Sequence, residues 1–355
     1  MKQARRTLTL LALATAVTAT TVAIPAEART GAASAGSVAT SGTTTKSTKS
    51  AKSSKGVRYA SLDSCTRKDE ARPCGAWMLT LRNGRTVKLT DAAVFPRTAK
   101  GRLDRTSSTP FAVSGDGDRV LYVRASDHKL VWKDVLTGRV RSLPGAAARA
   151  PKGLGMSDVD PILSPSGDVV VIDYYDDSGK RPTLAVDLGT GQIGKLPGGD
   201  SVQGFSPDGR RILMSGSTSD NTTEFAVYDT NGQPAETREV PQVVSNNSPV
   251  ALADDGVTIA LVIVPPSGRP NLRQYDLSTD AISPAIDLGI AKKESAYRIY
   301  WDDSGKLTLW TLLSQKDGDV VRATVGAVNP STGHFAKADS FRVRDHLWTW
   351  WLPGE

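Results

Sequence analysis

Three histidines, His128, His334 and His346, are the chain's whole supply of imidazoles, the side chain that titrates nearest neutrality. Catalysis or metal binding through them requires a fold that brings distant segments together. No G-x-S-x-G elbow is present to expose a serine nucleophile. Aspartates are more numerous. Asp158 and Asp160, Asp173 with Asp176 and Asp177, Asp254-Asp255 and Asp302-Asp303 offer oxygen ligands of the kind Ca²⁺ takes. None has the EF-hand spacing or a nonapeptide calcium repeat. Aspartate is also a preferred turn residue, so the turn role is the one favoured; no cofactor is expected, with Ca²⁺ as the reserve reading. Cys65 and Cys74, the two cysteines, read as one disulfide. No histidine lies nearby and the spacing is not C-x-x-C, which argues against a zinc or redox site. Residues 66–73 between them are charged and end in proline, as a surface loop would.

The charge is unevenly laid out. The formal net charge is +7, yet residues 58–355 hold 36 basic and 36 acidic side chains. The excess belongs to the N-terminal segment, and a neutral folded part argues against nucleic acid as a partner. Residues 1–6 are basic, residues 7–24 are apolar, and Ala26-Glu27-Ala28 fits the small-x-small cleavage rule with Ala26 and Ala28 as the small residues. Residues 1–28 are therefore expected to be a signal peptide, with Arg5-Arg6 compatible with either a twin-arginine or a general export route. A secreted or envelope-associated protein without a transmembrane segment after cleavage follows. Residues 29–56 are almost wholly Ser, Thr, Ala, Gly and Lys. They hold too little apolar surface to offset ordering entropy and are expected to be a disordered tether.

From residue 57 to residue 355, short apolar strands alternate with Gly, Pro, Asp and Asn turns, and long helical periodicities are missing. One turn recurs after an apolar residue: Ser114-Gly115-Asp116-Gly117, Ser164-Pro165-Ser166-Gly167, Ser206-Pro207-Asp208-Gly209, Ala253-Asp254-Asp255-Gly256 and Asp302-Asp303-Ser304-Gly305. The first side chain can bond the turn backbone, proline presets φ, and the last glycine accepts the left-handed conformation. A second turn recurs out of phase, among others at Asn83-Gly84, Thr137-Gly138, Thr190-Gly191, Asn231-Gly232, Thr279-Asp280 and Thr332-Gly333. Two hairpin turns per unit make four antiparallel strands, the pattern of a propeller blade.

Phe205-Ser206-Pro207-Asp208-Gly209-Arg210-Arg211-Ile212-Leu213 resembles the WD40-like repeat of TolB-type propellers, closely in this blade and loosely in the others. The resemblance implies an exported bacterial protein, actinobacterial in look, with protein–protein contact as its role; it also implies an N-terminal domain that this chain replaces with the Ser/Thr/Lys tether. The first unit lacks an innermost strand, and the aromatic segment 347–352 aligns with the one that opens the third inner turn. The expected fold is thus an all-β, six-bladed propeller closed by the C-terminal strand joining the N-terminal blade. The tryptophans of that segment are read as packing residues. In such a ring His128 and His346 lie on one face and His334 on the other, so the three cannot form one site.

The face bearing the inter-blade loops is the candidate surface. Arg97, Lys100, Arg102 and Arg105 occupy one loop, Arg149 and Lys152 the next, and Tyr174, Tyr175 and Arg269 the loops within blades. A basic rim beside tyrosines suits an acidic protein segment or an anionic envelope polymer. The expected function is that of a monomeric, non-catalytic binding or scaffold propeller. The alternative is a lactonase, lyase or glycosidase with a metal or carboxylate site in the central channel, for which the innermost strands offer few polar side chains beyond Asp160 and Gln203.

Overall fold

The computed structural model describes residues 55–355 other than 177, 267 and 317. The expected signal peptide, with Ala26 and Ala28 as its expected cleavage residues, and all but the end of the expected tether lie outside the described residues.

Six antiparallel sheets are present. Blade one pairs Leu347–Trp351 with Val57–Arg67, followed by Glu70–Leu81 and Thr86–Lys88. Blade two runs Phe111–Val113, Arg119–Val123, Leu130–Asp134 and Val140–Ser142, and blade three Val159–Leu163, Val169–Tyr174, Thr183–Asp187 and Ile193–Leu196. Blades four, five and six repeat the order from Ser201–Phe205, Val250–Leu252 and Glu294–Trp301. The last strand does close the ring: Ala60 faces Trp351 and Ser61 faces Trp350. No helix among the described residues is long and apolar enough to cross a membrane.

Burial follows from the alternation of side chains across each strand. Both sides of the middle strands meet a neighbouring blade, so runs such as Val169–Ile172 and Ile212–Met214 are buried throughout. Each of six hydrophobic clusters is shared by two adjacent blades, including one between blades six and one that unites Trp310 and Phe341 with Tyr59 and Leu352. Trp348 and Trp351 pack against the cluster between blades one and two.

The recurring inner turn serves both the hairpin and the ring. In blade four the buried Ser206 Oγ accepts the Arg211 N–H at 3.0 Å and donates to Asp208 at 2.6 Å. Ser114 and Ser164 accept from Arg119 and Val169 in the same way. Gly209 has φ +72°, and a Cβ there would stand 2.8 Å from that of Ser164 in the preceding blade. The glycine is needed for its conformation and for the close approach of neighbouring turns.

One element departs from the sequence reading. Residues 66–73 are not a loop. They extend the first hairpin of blade one as a ribbon in which Cys65 faces Arg72 and Ser64 faces Pro73. The reversal falls on Lys68 and Asp69, both at positive φ, the twist a two-residue hairpin turn requires. The Cys65–Cys74 disulfide links the two strands, with Cα atoms 5.8 Å apart.

Candidate functional site

The two long inter-blade loops fold as one piece. Residues 89–110 make their own small hairpin, where Arg97 bridges Leu103 and Thr98 N–H donates to Arg102 O. The loop of residues 143–158 carries two 3₁₀ turns, Gly145–Ala148 and Met156–Asp158, and lies directly on it. Met156 N–H donates to Arg97 O at 2.7 Å, and a Cβ on Gly155 would stand 3.0 Å from the same oxygen. Asp158 accepts Gly155 N–H at 2.7 Å, holding the second turn. Main-chain bonds from Ala93 and Ala125 then tie the first loop to blade two.

The predicted rim residues divide. Lys100, Arg102, Arg149 and Lys152 are exposed on this joined platform. Arg97 and Arg105 turn back on their own loop: the Arg97 guanidinium donates to Gly101 O at 2.6 Å, and that of Arg105 lies 5.4 Å from the Phe95 ring. His128, which sequence reading set aside, belongs here. Burial pushes its imidazole below the ordinary value, and the neighbouring Arg97 and Arg149 add to that shift against Asp127. Arg181 joins too, donating to Lys152 O at 3.3 Å. Nothing in the local sequence marks either residue; the loops must fold before they become neighbours.

The tyrosines also separate. Tyr174 packs against the core between blades two and three, and burial pushes its phenol up to about 12. Tyr175 is 60% exposed and donates to Asp160 at 3.2 Å. Arg269 lies between Thr258–Ile263 and Asn271–Asp276 of blade five, across the ring, and does not join the cluster. Ser206, Pro207, Asp208 and Gly209 form the blade-four turn on the opposite face.

Contacts from blade six and from the C-terminal residues tie the inner parts of the ring together. Tyr300 of blade six reaches across to donate to Gly115 O of blade two at 3.2 Å. Gly354 N–H donates to Val113 O at 3.1 Å, and Trp310 Nε1 donates to Pro353 O at 3.0 Å. One cavity lined from blades three, four, five and six and by Gly354 has about 10 Å³, room for one water. Arg298 borders it, its Nε withdrawn from solvent and without a hydrogen-bond partner among the described residues. Burial lowers the guanidinium's proton affinity, while Glu355, Tyr297, Tyr300 and Asp160 counteract. Tyr297 donates to the Glu355 carboxylate, which also accepts Leu352 N–H at 3.0 Å. The charges of Glu355 and, more weakly, Asp160 thus favour the charged form of this buried arginine. Among the described residues no group of three or more His, Cys, Asp or Glu side chains is placed to hold a metal ion.

No protein-family model matches the chain, and no curated protein matches it. Similar solved structures include TolB from Acinetobacter baumannii, at 15% identity and a TM-score of 0.42 over 83% of this chain and 82% of that one. The β-propeller domain of the trilobed protease from Pyrococcus furiosus is similar at 12% identity and a TM-score of 0.41, over 82% of this chain and 96% of that one. An oligogalacturonate lyase in complex with manganese is similar at 12% identity and 0.40, over 82% and 76%.

Proposed function

We propose that the chain is an exported binding propeller that holds an acidic partner, a protein segment or an anionic envelope polymer, on its loop face over blades one to three. The observation that carries this reading is the bonding of the two long loops into one platform through Met156 and Arg97. A platform already ordered spares the partner the entropy of ordering it. The exposed Lys100, Arg102, Arg149 and Lys152 supply positive potential, and Leu103 and Tyr175 supply apolar area beside it. The N-terminal segment then serves as a tether that lets the platform reach its partner.

An enzyme working near the axis is the second reading, favoured by the buried Arg298 guanidinium, whose Nε has no hydrogen-bond partner among the described residues. The cavity that Arg298 borders has room for about one water.

The test compares the mature protein with K100Q/R102Q/R149Q/K152Q in pull-downs from envelope extract and in titrations with purified anionic wall polymer. All four side chains are exposed, so the melting temperature should not move. Recovery of partners should fall at least about tenfold and depend steeply on salt. Equal recovery by the variant overturns the proposal.

A further inference from the structure

On the face opposite the loop rim, blades two and three diverge around a groove of about 500 Å³. Strand pairing builds its wall. Arg119 faces Asp134 and Trp132 faces Arg141 across blade two, while Arg139 and Arg141, two residues apart on the outer edge, share one side. The guanidinium carbons of Arg119 and Arg141 lie 5.2 and 5.8 Å from the Trp132 ring. These cation–π contacts hold two flexible arginines against a buried indole.

The charges of the groove are not equally committed. Arg119 donates to Gly167 O at 2.8 Å and pairs with Asp168 of blade three at 2.5 Å, joining the two blades. Asp134 is taken up by its own turn, accepting Thr137 N–H at 2.8 Å. Arg139 and Arg141 have no carboxylate within ion-pair distance among the described residues. The groove thus combines two uncommitted guanidiniums, one of them held in place, with a half-open volume of ligand size bordered by Leu188.

We propose that this groove binds a small ligand carrying an oxyanion group, phosphate or carboxylate, on a body of mono- or disaccharide size. Arg139 and Arg141 hold the oxyanion through paired N–H donors, and Leu188 with the backbone at Gly189 supports the body. The site stands on residues separate from the loop rim and is independent of the function proposed above.

The test is calorimetric titration of the full chain, at constant ionic strength, with glucose 6-phosphate, glucuronate, glucose and inorganic phosphate. At least one charged sugar should bind with Kd below about 1 mM, and glucose and inorganic phosphate at least about tenfold more weakly. Preference for glucose 6-phosphate assigns the oxyanion as phosphate, and preference for glucuronate as carboxylate. R139Q/R141Q should lose at least about tenfold in affinity with an unchanged melting curve, while K100Q/R102Q/R149Q/K152Q keeps it. The proposal is overturned if neither charged sugar binds, if inorganic phosphate alone binds as well, or if R139Q/R141Q binds like the wild type.

Discussion

Asp116, third residue of the inner turn of blade two, sits where turns of several blades meet. Its carboxylate accepts Ser114 Oγ at 2.5 Å and Asp118 N–H at 2.9 Å, and its carbonyl accepts Arg82 Nη2 at 2.6 Å. Burial pushes its pKa up to about 6; the two hydrogen bonds oppose this, and the charges of Asp118 and Asp303 add to it. An unfolded chain would titrate this group near 3.8. The folded state therefore keeps a proton that the unfolded state gives up between these values. The stabilisation is complete below the lower pKa and is lost as pH rises through about 6. In chemical denaturation from pH 4 to pH 7, Asp116→Asn should lose less stability than the wild type, by about 2 kcal/mol, because its amide does not ionise. Parallel pH profiles for the two proteins would refute the assignment. The turn role of this aspartate was legible in the local tetrapeptide. The raised pKa was not, because it depends on burial that only the assembled ring supplies.

At the scale of the element, the Cys65–Cys74 ribbon shows where composition misleads. Charged residues and Pro73 read as a loop, yet proline is tolerated in a strand where its missing N–H is not required. Lys68-Asp69 also lacks the glycine that usually announces such a turn. The pairing of the cysteines was legible; that they staple a hairpin was not. The ribbon projects with residues 65–71 exposed, so few apolar contacts hold it apart from the staple. Closing a loop of this length stabilises by about 2–3 kcal/mol in the chain-entropy view. C65S/C74S should therefore speed amide exchange in residues 63–74 while Ile212, Leu213 and Met214 keep their protection. Unchanged exchange in the ribbon would mean that its pairing holds without the bond. The loop platform was legible only in part for a related reason. Lys100, Arg102, Arg149 and Lys152 are marked by charge, whereas His128 and Arg181 enter through loop folding that no short motif encodes.

For the whole molecule, ring closure joins the last strand to the first blade and builds the interface between blades six and one. It was legible because glycine at positive φ leaves a periodic trace and because residues 347–352 repeat the apolar opening of a blade. Leu352 is fully buried in the cluster between blades six and one, so Leu352→Ala should cost about 2–5 kcal/mol in urea unfolding, whereas Val264→Ala, at an exposed position, should cost less than about 0.5 kcal/mol. Similar costs at the two sites would remove the closing interface from the account of stability. The hub was not legible. Arg298 lies in an ordinary strand sequence, and only the assembled ring buries it within reach of the charges of Glu355 and Asp160.

The Tyr300 phenol laid across to Gly115 braces blade six directly against blade two, past the blade that stands between them. A displacement at the rim or at the arginine groove can reach the other face along the strands of blades two and three, which run from one side to the other.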